Sequence, residues 1–119
     1  MANIQQSLDE IQTIDGAIAC ALVDSSSGMM LGSAGGGVDL EVAAAGNTEV
    51  VRAKLKTMSL LKLKDEIEDI LITLNRQYHI IRLVANKPGL FIYIVLDRGR
   101  SNLALARRKV ADVEASLTV

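Results

Sequence analysis

Few residues of this chain have both the type and the spacing that chemistry at a protein site requires. His79 is the only histidine, and it alternates with Ile81 and Leu83 as residues of a strand do. Neither a second histidine nor a cysteine is placed to complete a metal site with it. The serines cluster in turns and lack a nearby pair of histidine and acid to activate one of them. We therefore predict a structural or partly exposed histidine and no catalytic residue.

Two further motifs are typical of ligand sites, but neither has the full pattern. Residues 32–37, which are rich in glycine, precede a helix as phosphate loops do. They lack the Lys-Ser/Thr ending of a P-loop and the spacing of a dinucleotide fingerprint, so we predict a flexible connection. Four acids within residues 65–69 could hold a hard cation, yet they lack the spacing of a calcium loop. We favour the alternative that these acids are solvent-exposed residues at the start of a strand. We expect no metal and no cofactor.

The outer face of the last helix, together with the residues that lead into it, is basic. This surface could meet an acidic partner or a phosphate, whereas the ordinary alternative is a solvated helix face. If a partner binds here, the arginines that would contact it are Arg98, Arg100, Arg107 and Arg108.

The composition argues against several classes of function. Half of the 119 residues are apolar, but only Phe91, Tyr78 and Tyr93 are aromatic, which argues against base-stacking nucleic-acid modules. The net charge of −1 argues against a strongly electropositive DNA-binding protein. Seven acids and no Lys or Arg lie in residues 1–51. All thirteen basic residues therefore lie at Arg52 or after it. This asymmetry either orients a protein partner or reflects solvated helix faces.

The single cysteine and the hydrophobicity pattern indicate the cellular compartment. Cys20 is the only cysteine, so no intrachain disulfide is possible, and its apolar surroundings predict a small core residue. No stretch approaches the length of a membrane span, and the first residues lack the basic region and apolar core of a signal peptide. We expect a cytoplasmic protein of one domain, residues 1–119, without nucleic-acid partners or direct membrane insertion.

Hydrophobic periodicity predicts the order helix, two strands, helix, three strands, helix. Residues 17–23 and 90–96 are apolar on both sides, so both faces of the sheet must be covered there and both strands belong near its centre. This order predicts an α+β fold, a three-layer sandwich with helices on both faces of a five-stranded, mostly antiparallel sheet. The expected helices begin with the stripe Met1, Ile4, Leu8 and Ile11 and continue with residues 39–58 and 101–117; the other expected strands are 29–33, 66–74 and 77–85. Strand 66–74 fits an edge, which is a hazard unless something pairs with it.

The middle helix, residues 39–58, has two separate apolar faces, with Asp39 as its expected N-cap. The bulky face suits packing on a sheet, and the second, about 130° further round, carries small side chains that let another backbone approach. Between them lie residues such as Thr48 and Arg52 that can stay in water. The bulky face is Leu40, Ala44, Val51, Leu55 and Met58, and the small-sided face is Ala43, Gly46, Val50 and Ala53. A helix of this kind is best explained by a partner.

The closing segment resembles the end of Roadblock (dynein light chain Roadblock-type) domains. Residues 96–107 read Leu-Asp-Arg-Gly-Arg-Ser-Asn-Leu-Ala-Leu-Ala-Arg, similar to an apolar last strand that runs through an Asp-Arg pair into an Asn-Leu-x-x-Ala/Gly-Arg helix. Residues 16–24 match a Gly-x₅-Leu-Val-Asp strand, and the Ile-Leu-Ile-Thr strand at 70–73 is followed by Tyr78 and His79. The match spans nearly the whole chain and is most similar to the prokaryotic single-domain type.

This resemblance implies a profilin-like Roadblock fold and a homodimer that forms one continuous sheet through the middle helix and the third strand. The interface residues it implies are Ala43, Gly46, Val50, Ala53, Ile67, Asp69, Leu71 and Thr73. It also implies a non-enzymatic regulator or scaffold that binds a small Ras-like GTPase and modulates its GTP hydrolysis. Two alternatives stay open: a dimeric structural or sensory adaptor for another signalling or motility complex without a GTPase, and a small ligand-binding or enzymatic domain.

Overall fold

The computed structural model describes residues 2–119, and Met1, expected in the apolar stripe of the first helix, lies outside them. The predicted order of elements is confirmed. The elements are α1 (Ile4–Gln12), β1 (Ala17–Asp24), β2 (Met29–Gly35), α2 (Leu40–Leu60), β3 (Asp69–Thr73), β4 (Gln77–Leu83), β5 (Leu90–Asp97) and α3 (Leu103–Ser116). Within the described chain, no helix is long and apolar enough to cross a membrane.

The five strands form one sheet in the order β2-β1-β5-β4-β3, and every neighbouring pair is antiparallel. Helix α2 packs on one face, and α1 and α3 pack on the other. The predicted three-layer α+β sandwich is therefore confirmed. Strands β1 and β5 each lie between two other strands, as their apolar residues on both faces require.

Alternate residues of β1 supply two separate cores. Cys20 and Leu22 face α1 and α3, whereas Ala19, Ala21 and Val23 face α2. The Cys20 thiol lies 3.4 Å from the Leu8 carbonyl oxygen, and burial raises the pKa of Cys20 to about 12. The cysteine is thus the core residue that the sequence predicts.

Strand β2 includes much of the glycine-rich stretch, which differs from the flexible connection expected over residues 32–37. A Cβ atom at Gly32 would lie 2.8 Å from the Ile4 side chain, so the glycine lets α1 pack closely on the strand. Gly35 has a φ of +77°, which favours glycine, and a Cβ there would clash with the Ile18 carbonyl oxygen. Of the glycine-rich stretch, only residues 36 and 37 belong to the connection between β2 and α2.

Strand β3 is shorter than the predicted 66–74, since its regular part begins at Asp69. Acidic residues have low β-propensity, and Glu66 and Glu68 are exposed. The Glu68 carbonyl still accepts a hydrogen bond from the Leu83 N–H at 3.2 Å, so the chain already runs beside β4 there. The edge position predicted for this strand is confirmed.

Helix α2 starts as predicted, because the Asp39 side chain accepts a hydrogen bond from the Val42 N–H at 3.1 Å. Its buried contacts with the sheet end at Val51, roughly 17 Å along a helix that spans roughly 31 Å. Leu55, expected to pack on the sheet, is 45% exposed, and Met58 is half-buried. The side of α2 that faces the sheet is therefore fully buried only as far as Val51.

Thr48 on α2 is buried rather than in water as expected. Its hydroxyl donates to the Ala44 carbonyl one turn earlier at 2.7 Å, so the polar group has a partner without solvent. The residue therefore joins the sheet-facing side of the helix, with Leu40, Ala44 and Val51.

Helix α3 is tied to the sheet by a buried ion pair that the sequence does not reveal. The Arg82 Nε donates to Glu114 Oε1 at 3.0 Å, and the Ala85 N–H lies 3.4 Å from the other carboxylate oxygen. Glu114 is 6% exposed, and a carboxylate buried to this degree requires such partners.

Candidate interface at the middle helix and the edge strand

The small-sided face of α2 is open to solvent. Gly46, Val50 and Ala53 are exposed and Ala43 is half-buried. Apart from the nearby backbone of α2 itself, a Cβ atom placed on Gly46 meets no atom of residues 2–119 within 4 Å. Side chains this small, spaced three and four residues apart, leave a shallow groove in which a second helix can approach closely.

The outer side of β3 presents backbone groups suited to further strand pairing. On its inner side, the Leu74 N–H donates to the Gln77 carbonyl at 2.8 Å, and the Glu68 carbonyl accepts from Leu83. Successive residues of a strand direct their backbone groups to opposite sides, so even-numbered residues here face β4. Asp69, Leu71 and Thr73 therefore direct their N–H and C=O groups away from the sheet. These three belong to the predicted interface set.

The opposite edge of the sheet, β2, is less suited to pairing. Its register on β1 shifts between Gly32 and Met30, which leaves Leu31 as an extra residue. The Gln5 side chain from α1 lies 3.4 Å from the Ser33 carbonyl oxygen. Bulges and covering groups are means by which proteins block an edge. Strand β3, whose five residues pair with β4 in regular register, is the edge better suited to a partner.

The side chains of β3 divide between the two faces of the sheet. Leu71 packs toward the core that lies under α1 and α3, and Ile70 packs toward α2. The predicted residues Asp69, Leu71 and Thr73 thus offer backbone to a partner but do not share a side-chain surface with α2. Ile70 and Ile72 do share it. These two are missing from the predicted interface set, because alternation divides the side chains of a strand into two sets without showing which set faces α2.

A shallow groove joins the helix to the strand. It is lined by Val50 and Lys54 of α2 and by residues 66–70 of the segment that leads into β3. Ile67 of the predicted interface set lies there and is half-buried. The small-sided helix face and the open strand edge therefore belong to one continuous surface. We call it the α2/β3 surface.

One predicted partner-binding arginine is already bound within the chain. Arg107 of α3 forms a bidentate ion pair with the Asp69 carboxylate: its Nε donates to Oδ2 at 3.0 Å and its Nη2 donates to Oδ1 at 2.8 Å. The Asp69 side chain is only 9% exposed, and its carboxylate raises the pKa of Arg107 above the usual value. This pair holds the first residue of β3 against α3, while the Arg107 side chain stays 46% exposed.

The other three arginines differ in their contacts. Arg98 donates to the Leu74 carbonyl at 3.1 Å and lies over the Tyr78 ring, 5.5 Å from its centre. Arg100 pairs with Asp97 at 3.2 Å. Arg108 is exposed and has no ion pair among residues 2–119. Partner binding by these residues stays a prediction.

His79 lies on the α2 side of the sheet, beside Ile72 of the edge strand. Its ring nitrogens lie 3.1 Å from the Tyr93 hydroxyl and 2.9 Å from the Gln77 side-chain oxygen. Burial lowers the pKa of His79 and raises the pKa of Tyr93. The half-buried, hydrogen-bonded ring fits the structural or partly exposed histidine that the sequence predicts.

Comparisons with solved structures show what this architecture is. MglB of Myxococcus xanthus is similar with a TM-score of 0.83 at 18% identity, over 94% of this chain and 89% of that one. A Roadblock/LC7 domain from Streptomyces avermitilis is similar with a TM-score of 0.83 at 10% identity, over 97% and 94%. The gliding protein MglB of Thermus thermophilus is similar with a TM-score of 0.71 at 16% identity, over 95% and 89%.

The sequence itself matches no family model and no curated protein. At these low identities the likeness concerns the fold, and the chain has the Roadblock fold that the resemblance predicts.

We predict that the folded protein loses stability in mild acid partly through His79. Because burial lowers its pKa below the ordinary 6.5, the unfolded chain binds more protons as the pH falls through that value, and the stabilisation present above it is lost. Urea unfolding at about pH 7.5 and about pH 5.5 measures this loss. In His79→Gln, which cannot titrate, the decrease in the free energy of unfolding should be smaller. An equal decrease in both proteins would contradict the assignment.

Proposed function

We propose that this chain is a homodimeric, non-enzymatic regulator or scaffold that binds a small Ras-like GTPase. One observation carries the dimer: a groove joins Val50 of the small-sided face of α2 to the start of β3, the strand whose odd-numbered residues direct their backbone groups outward. An open edge of this kind is a template for a further strand. A second copy supplies both a strand and a matching helix.

The proposed dimer has two-fold symmetry, since the same surface then serves on both subunits. The two β3 strands pair in antiparallel fashion and join the two five-stranded sheets. The two α2 helices lie on the same side of that joined sheet and meet through Gly46 and its small neighbours. Ile70 and Ile72 fill the space between strand and helix, so their half-buried side chains lose their remaining exposure.

The proposed GTPase partner is supported by the Roadblock resemblance and by the shared fold. The resemblance implies a platform for small Ras-like GTPases, and the similar structures include MglB and Roadblock/LC7 domains. A regulator of this kind acts by binding one conformation of the GTPase switch segments more tightly than the other. Arg98, Arg100, Arg107 and Arg108 stay the proposed contacts, and Arg107 also holds Asp69 within its own subunit. The cytoplasmic location stays part of the proposal.

We predict that Gly46→Leu disrupts the dimer without harming the fold of each subunit. Beyond the nearby backbone of its own helix, a Cβ atom at this position meets no atom within 4 Å. Leucine also has a higher helix propensity than glycine, but its side chain fills the groove that the second helix needs. The dimer dissociation constant, measured by sedimentation equilibrium, should rise roughly 100-fold or more.

Ala104→Leu is the matched control for that variant. Ala104 is exposed on α3, on the opposite face of the sheet, so the same side chain added there should leave the dimer unchanged. A dimer as tight in Gly46→Leu as in Ala104→Leu would remove the helix face from the interface.

We predict nucleotide-dependent binding to a Ras-like GTPase encoded in the same genome. Titration calorimetry compares the GTPase loaded with GDP and with a non-hydrolysable GTP analogue, and a difference in affinity of about tenfold or more is expected for a protein that selects one switch conformation. GTP hydrolysis with and without the protein is measured on the same pairs. Equal affinity for both forms, or no binding by any such GTPase, would leave an adaptor without a GTPase as the better account.

A further inference from the structure

The edge strand β3 is flanked by opposite charges. Glu66 and Glu68 precede it, and Arg76 follows it in the turn to β4; all three residues are exposed. None of these side chains forms an ion pair within residues 2–119. Along the open edge, the chain is therefore negative at the start of the strand and positive at its end.

The positive end is held in place by its neighbours. The Arg76 carbonyl accepts a hydrogen bond from the Arg98 N–H at 2.9 Å. The Arg98 side chain donates to the carbonyl of Leu74, the residue directly after β3. Two guanidinium groups thus lie at the end of β3, while Arg98 is engaged with Leu74 and Tyr78. Arg76 is left as the group that can reach outward.

The charge order distinguishes the two ways in which copies of β3 could pair. If two strands run antiparallel about Leu71, Asp69 lies opposite Thr73 and Glu66 lies opposite Arg76. If they run parallel, acid faces acid and arginine faces arginine. Antiparallel registers displaced by two residues shift the groups by about 7 Å, and the long Glu66, Glu68 and Arg76 side chains keep one acid near the arginine.

We propose that Glu66 and Glu68 of one subunit pair with Arg76 of the second, at both ends of the joined strands, and that these two symmetric ion pairs make β3 select an antiparallel second copy of this chain. The proposal rests on the dimer proposed above and adds which side chains select the partner strand and its direction. Exposed ion pairs add little affinity. They act on orientation and specificity, because a partner with like charges at these places is repelled.

Arg107, bound to Asp69, also interacts with the charge of Glu68. Among the residues that line the groove beside these acids, Lys54 is the one basic side chain. It lies on α2 and lines the groove together with Glu66 and Glu68, and it has no ion pair with either in the described chain. If it held the acids within its own subunit, they would be less available to a partner. Lys54→Gln should therefore leave partner choice unchanged, and a change would overturn the assignment to Arg76.

Two complementary variants test the proposal. Arg76→Glu makes both ends of the edge negative, and Glu66→Lys/Glu68→Lys makes both ends positive. Each variant alone should form a weaker homodimer than the natural chain. Mixed, the two place opposite charges together at both ends, so native mass spectrometry should show the heterodimer enriched about tenfold over random mixing. The enrichment should shrink as salt is added.

Matched controls keep the test independent of folding and of charge in general. Lys87→Glu, in the turn between β4 and β5, and Asp112→Lys, on the outside of α3, make the same kinds of change at exposed sites away from the edge; their mixture should assort at random. The neutral set Arg76→Gln and Glu66→Gln/Glu68→Gln should also mix at random while each chain still dimerises.

Two outcomes overturn the proposal, and they are distinguishable. If the natural chain is dimeric and the complementary variants mix at random, the ion pairs do not set partner choice, while the dimer itself stands. If the natural chain is monomeric at high concentration, the dimer fails and the ion pairs fail with it.

Discussion

The unfilled hydrogen-bonding capacity on the outer side of β3 is the constraint on which the rest of this account depends. Helices cover both faces of the sheet, and a bulge together with Gln5 obstructs the β2 edge. The β3 edge is regular, and its odd-numbered residues direct their backbone groups outward. The small-sided face of α2 lies on the same surface, so one partner can satisfy both features at once.

The ion pair between Arg107 and Asp69 connects this edge to the other face of the sheet. The Asp69 side chain turns inward to α3 while its backbone groups point outward. The strand is thus held in a fixed position before any partner arrives, which lowers the entropy lost on association. Arg107, one of the arginines that the sequence offers for partner binding, thus also fixes the start of the edge strand within its own subunit.

The sequence predicts the layers of this fold because the reasons for them are local. Apolar residues on both sides of residues 17–23 and 90–96 require covered faces, and the two apolar sides of α2 indicate one surface for the sheet and a second for a partner. It could not predict which β3 side chains lie beside α2, since a strand read alone shows alternation but not its direction. Burial of Thr48 and exposure of Leu55 depend on how α2 packs on the sheet, which the helical pattern alone does not give. The pairing of Arg107 with Asp69 joins residues that are distant in the chain.

Amide hydrogen exchange at several protein concentrations tests the α2/β3 surface most directly. In a dimer joined through β3, the amides of Asp69, Leu71 and Thr73 are protected at high concentration and exchange rapidly on dilution. The amides of Ile70 and Ile72, which face β4, stay protected throughout and serve as the internal reference. Rapid exchange of Asp69, Leu71 and Thr73 at every concentration, in a sample that remains dimeric, would contradict the account, because the interface would then lie elsewhere.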